Sequence, residues 1–218
     1  MKHKLSEYML ILALLSVSAA PAIAADKEEK NTNPSEIMET YLGDVVADAM
    51  LAAMGADVAL INGGSLGYEN LPDKVNEETL PLLVPFGSDP VVTVKLKGAD
   101  LRAALEKSYA LLPKRSSSFL QVSGLDVVCD QNLEPGGRIA SLKISGKPLD
   151  PKKEYIIATT EFLGGGGGGL TPFRNGKRAG ETETPLDEIV LKYIKYNKTK
   201  AGSPEGRIVI IPLEENGE

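Results

Sequence analysis

Apolar residues recur at helical spacing in the first third of the chain and give way to strand-like runs further on. Met38, Leu42, Val45, Ala49 and Ala53, with Val46 and Met50 beside them, mark one face of a helix. Asn33-Pro34-Ser35 supplies its start, with proline where a missing N–H does no harm, and Gly55 supplies its stop. "ADVALIN" (Ala56 to Asn62) reads as a buried strand and "GGSLG" as the turn after it. Leu80 to Val84 is a short apolar run broken by Pro81. "PVVTVKLKG" alternates as a strand should, and a second amphipathic helix runs from Asp100 as its cap through Leu101, Ala104, Leu105 and Ser108.

Strands dominate the remainder: "SFLQVSG", "LDVVCD", then "RIASLKISG" after a "PGG" turn, and "EYIIATTEF". A third helix opens at Thr184-Pro185, with Leu186, Ile189, Val190, Tyr193 and Ile194 as its apolar face. "GRIVIIPL" supplies a last strand, and 214–218 is a polar tail. Helices and strands mix without a strict βαβ alternation. The expected class is α+β: one layered domain over 33–213, a mixed β-sheet with packed helices.

The amino terminus has a different pattern. Lys2 and Lys4 precede an apolar run from Met9 to Leu15 and a small-x-small ending, Ala22-Ile23-Ala24. That is the form of a secretory signal over 1–24, with cleavage after Ala24 and a polar linker at 25–32. The run falls short of the ~20 apolar residues that span a bilayer, and no membrane attachment is expected. An exported, periplasmic or secreted protein follows. Removing the leader takes Lys2, Lys4 and Glu7, a net of +1, so the formal charge of −6 becomes −6 − (+1) = −7. This balance speaks against nucleic acid as a partner.

The one histidine, His3, leaves with the leader, and the mature chain then has none. Without histidine there is no Ser-His or Cys-His pair and no HExxH zinc site. No metal, no cofactor and no catalytic residue is expected. The single cysteine, Cys129, sits in an alternating strand pattern and reads as a small core residue.

Six consecutive glycines, Gly164 to Gly169, follow a strand-like run. A dinucleotide loop would open a helix, yet "LTPFRNGKR" follows with turn signals; a Walker loop would end in Lys-Ser/Thr, which is missing. Phosphate binding of a cofactor by this loop is not expected.

Five phrases share one order: "LGDVVADAM" (Leu42 to Met50), "ADVALINGGSLG" (Ala56 to Gly67), "VPFGSDPVVTVKLKGADLRAALE" (Val84 to Glu106), "FLQVSGLDVVCD" (Phe119 to Asp130) and "YIIATTEFLGGGGGG" (Tyr155 to Gly169). Together they resemble the C-terminal domain of 5'-nucleotidases and UDP-sugar hydrolases, over about Asn33 to Ile211. In that family an N-terminal metallophosphatase domain holds two metals and the catalytic histidine, and the C-terminal domain grips base and sugar. The resemblance implies that Phe86 and Phe162 sandwich a base, with Asn62, Gly63, Gly64 and Gly168 around the ligand. It also implies losses. The family's phosphate-side arginine is Gly67 here, a second arginine falls on Met38, and the carboxylate that binds ribose hydroxyls has become Gly168. The "Gly-Asn-Leu" phrase reads Gly43-Asp44-Val45. Arg174, Lys177 and Arg178 either replace the lost charge or form a solvated turn.

Three functions remain open on this basis. The chain is a catalytically silent recognition domain for a nucleoside, nucleotide-like or other planar ligand. Otherwise it is one subunit of a split phosphoester hydrolase completed by a separate metallophosphatase chain, or an interaction module without a small ligand.

Overall fold

Five consecutive buried residues, Val58–Asn62, form strand β1, and a strand buried on both faces must lie between two layers. The computed structural model describes residues 33–67, 70–72 and 74–214, all in the compact unit Thr32–Glu218. The expected leader (1–24), the linker (25–32) and the tail beyond Glu214 lie outside the described residues. The α+β class holds, and the strands divide between two mixed sheets.

In the five-stranded sheet β1 pairs in parallel with β7 (Glu154–Thr160) and antiparallel with β3 (Leu120–Ser123). Strand β2 (Pro90–Lys97) lies antiparallel between β7 and the edge strand β8 (Lys177–Pro185). The second sheet runs β6 (Lys147–Pro148), β5 (Ile139–Ile144), β4 (Leu125–Asp130), β9 (Ile208–Ile211). Gly124 alone separates β3 from β4 and carries the chain from one sheet into the other. Its φ of 78° and its closeness to the Asp57 carbonyl leave no room for a side chain.

The side chains of β1 alternate between two cores. Ala59 and Ile61 pack with helices α1 (Tyr41–Met54) and α5 (Leu186–Asn197). Val58 and Leu60 pack with helix α3 (Gly98–Tyr109) and the second sheet. Each fully buried Leu or Ile contributes about 1.5–3 kcal/mol of transfer free energy, so register is tightly held. Tyr109 fills the centre of the second core and donates to the Leu120 carbonyl at 3.1 Å, which satisfies its buried hydroxyl. Cys129 is buried among these residues as expected, and burial pushes its thiol up to about 11.

Four features differ from the sequence expectation. The first helix starts at Tyr41 rather than at Pro34. Asn33 caps only a 3-10 turn, Pro34–Glu36, and the Thr40 hydroxyl caps α1 by accepting from the Gly43 N–H. Buried Gln121 holds the break open: its amide donates to the Ser35 and Met38 carbonyls and accepts from the Thr40 N–H. Helix α3 begins two residues before Asp100, whose carboxylate accepts from Asn175 instead of capping. The run Leu80–Leu83 is a single helical turn, α2. Strand β8 is the fourth: Lys177 and Arg178 belong to an edge strand, and its exposed residues carry no apolar alternation to reveal it.

Acids on and before α1 tie the C-terminal strand to the body. Glu39 accepts from the N–H groups of Gly206, Arg207 and Ile208, and Arg207 meets Asp48 at 2.8 Å. Asp44 accepts from the Glu205 N–H through Oδ2, while its Oδ1 is buried without a partner. Burial, together with the nearby Glu39 carboxylate, raises its pKa from 3.8 to about 7. The folded chain therefore holds this proton where the unfolded chain has released it. Stability at this site is intact below 3.8 and falls as pH rises towards about 7. Asp44→Asn is expected to flatten that slope and to raise stability above neutrality relative to wild type. Urea denaturation at about pH 5 and about pH 8 measures this; parallel slopes in the two proteins would refute it.

Candidate functional site

Strands β1 and β7 run the same way, while β2 and β3 run against them, so four chain segments reach one end of the sheet. Asn62 ends β1 opposite Leu120, and Thr160 ends β7 opposite Val91. Loops leaving β1 and β7 and entering β2 and β3 enclose a cleft of about 470 Å³ there. Crevices at strand ends are where open sheets present loops to ligands.

Two phenylalanines wall this cleft. Phe86 is 54% exposed and Phe162 is 51% exposed, unusual for side chains of this size. Phe86 lies in the turn before β2, which is pinned by the Asp187 N–H donating to the Gly87 carbonyl at 2.9 Å. Phe162 lies in α4 (Glu161–Gly164), a single turn capped by the Thr160 hydroxyl. Neither ring is part of the packed interior, and both face one space.

The expected polar residues divide into two groups. Asn62, Gly64 and Gly168 line the cleft, and Gly63 does not. Gly63 is buried against the Ser35 carbonyl, which a Cβ would approach to 2.0 Å, so its role is close packing. Asn62 uses both ends of its amide within the protein, donating to the Ser117 carbonyl and accepting from Ser65. It positions the serine loop rather than presenting free polar atoms. Ser118 in turn donates to the Gly168 carbonyl at 2.6 Å, joining that loop to the glycine run.

Several lining residues carried no signal in the sequence: Ser65, Asp89, Ser117, Ser118 and Glu161. Among the described residues, no lysine or arginine lines the cleft. Arg178 is held by Glu161 and Glu181, and Arg174 donates to the Gly165 carbonyl. Lys177 sits in β8, opposite Lys95.

A family model described as "5'-nucleotidase, C-terminal domain" matches residues 19–175, well over half of the chain. The chain belongs to this family. The match begins inside the expected leader. The chain is 32% identical over 198 residues to a "5'-nucleotidase-related protein" of Glossina morsitans morsitans, covering 79% of this chain and 35% of that protein. It is 28% identical over 191 residues to the 5'-nucleotidase of Bos taurus, with 78% and 33% covered. The crystal structure of a 5'-nucleotidase precursor from Thermus thermophilus superposes with a TM-score of 0.72 at 28% identity, over 83% of this chain and 37% of that one. The chain thus spans about a third of the length of these relatives.

Seen as a 5'-nucleotidase C-terminal domain, the glycine run has a definite structural task. A Cβ on Gly167 would sit 2.6 Å from each of three adjacent atoms of the Phe162 ring. Equal distances to three such atoms put Gly167 over the face of the ring, not its edge. Gly168 holds a φ of 61°, in the left-handed region where most side chains are strained. At Gly67, where the resemblance expects an arginine, a Cβ would meet the Leu82 carbonyl at 1.8 Å. No side chain fits there without moving α2. Met38, at the second such position, is 51% exposed.

The ring-over-glycine contact gives a direct test. Gly167→Ala is expected to displace Phe162 and destabilise the fold by about 1–3 kcal/mol. Gly165→Ala, with 3.5 Å of clearance and negative φ, should change stability by less than about 1 kcal/mol. Chemical denaturation of both variants checks the difference, and equal effects would contradict the packing described.

Proposed function

We propose that this chain binds a nucleoside or another planar ligand between Phe86 and Phe162 and does not hydrolyse phosphoesters by itself. One observation carries the reading: two large, half-exposed aromatic rings wall the same cleft at the strand ends. Stacking on an aromatic face contributes about 1–3 kcal/mol per base and tolerates many ring types. Around those rings the serine loop and the glycine run are bonded to each other, so the cleft is largely built before a ligand arrives. The positions given to phosphate-side arginines by family resemblance are Gly67 and Met38, and among the described residues no lysine or arginine lines the cleft. The leader-like amino terminus supports an exported protein that works in nucleotide catabolism outside the cytoplasm.

A second reading starts from the family, in which this domain works beside a metallophosphatase domain. A separate metallophosphatase chain would then supply the metals and the catalytic histidine, and this chain would present the substrate.

Calorimetry of the purified chain with adenosine tests the first reading. Wild type is expected to bind, and the Phe86→Ala/Phe162→Ala double variant to lose roughly tenfold or more in affinity. Equal affinity in the two proteins would end the proposal. Phosphatase assays with added Mn²⁺ or Zn²⁺ are expected to show no turnover of AMP, and turnover by the pure chain would overturn the non-hydrolytic half.

A further inference from the structure

Charge at the cleft goes further than its aromatic walls, and the step rests on the planar-ligand reading above. Among the described residues, the charged ones lining the cleft are Asp89 and Glu161, both acids, and none is a lysine or arginine. Asp89 is half-buried, three residues from Phe86 in the same turn, and forms no ion pair among the described residues. Glu161 adjoins Phe162 in sequence and begins the same short helical turn. Each ring therefore has a carboxylate close beside it along the chain.

The neighbouring guanidinium does not reverse this sign. Arg178 pairs with Glu161 and also with Glu181, so two carboxylates share one positive charge. Backbone donors of the lining are partly spent as well: the Gly64 N–H is given to the Ser117 carbonyl, the Asp89 N–H to the Phe86 carbonyl and the Ser118 N–H to the Ser116 hydroxyl. A phosphate entering here would meet two carboxylates, with the one nearby guanidinium already engaged by Glu161 and Glu181, and like-charge repulsion disfavours it. A positively charged ring meets the opposite situation. Two aromatic faces attract a cation through their quadrupoles, and the carboxylates add Coulombic attraction in a cleft partly shielded from water.

We infer that the cleft is selective for planar cations: it takes a positively charged heterocycle best, a neutral nucleoside less well, and a nucleotide worst. This ranking differs from simple retention of a nucleotide site, in which a phosphate group adds affinity. It also gives the loss of cations around the cleft a consequence for choice of ligand, beyond weaker binding.

Three forms of one ring system separate the charges. 1-Methyladenosine carries a cationic base near neutral pH, adenosine is neutral, and AMP is anionic. Calorimetry on the full chain at low ionic strength is expected to give affinities in that descending order, about tenfold per step. Asp89→Asn/Glu161→Gln removes the charges with little change of shape, and is expected to compress the series to within about threefold. Added salt should compress the wild-type series in the same direction. AMP binding as tightly as adenosine, or a series unchanged in the double variant, would overturn the selectivity and leave the aromatic clamp standing. Failure of all three ligands to bind would remove the clamp, and this inference with it.

Discussion

The parallel pairing of β1 with β7 is the constraint on which the cleft depends. Val58 pairs with Ile157 and Ala59 with Ala158, and the two strands are covered on both faces. Slipping either strand by one residue would exchange its two faces between the cores and push apolar side chains into the wrong layer. The pairing therefore fixes where Asn62 and Thr160 end. Two parts of the cleft hang from those ends: the serine loop through Asn62, and Phe162 with the glycine run through Thr160. Antiparallel β2 then brings Phe86 and Asp89 to the same side without further adjustment.

Family resemblance puts a lost carboxylate within the six-glycine run, at Gly168, and the structure gives the run a mechanical role. Gly167 carries the face of Phe162, and Gly168 takes a left-handed turn while its carbonyl accepts from Ser118. The run behaves as a bed for an aromatic ring more than as a cradle for phosphate. A half-exposed phenylalanine resting on backbone is held in place on one side and open on the other. That arrangement suits stacking, since little ordering remains to be done when a planar partner arrives.

Much of this was legible in the chain, for identifiable reasons. Helix faces such as Leu42, Val45, Ala49 and Leu186, Ile189, Val190 follow a 3.6-residue period, and β2 follows a period of two, because each buries one side against a core. The start of α1 was not legible. It is decided by Gln121, a residue 81 positions from Thr40, and no local pattern records such a contact. Strand β8 escaped notice because an exposed edge strand buries almost nothing. At the cleft, family resemblance pointed to Phe86 and Phe162, and both line it. Asp89, Glu161 and the serines were missed, because the order of strands in the sheet, not any motif, brings them together.

The central claim is that two exposed rings form one binding slot, and a crystal structure of the protein grown with adenosine addresses it most directly. The account predicts the purine between Phe86 and Phe162, parallel to both rings, with the glycine run unmoved beneath Phe162. A purine bound elsewhere, or the two rings closed upon each other with the cleft collapsed, would contradict it.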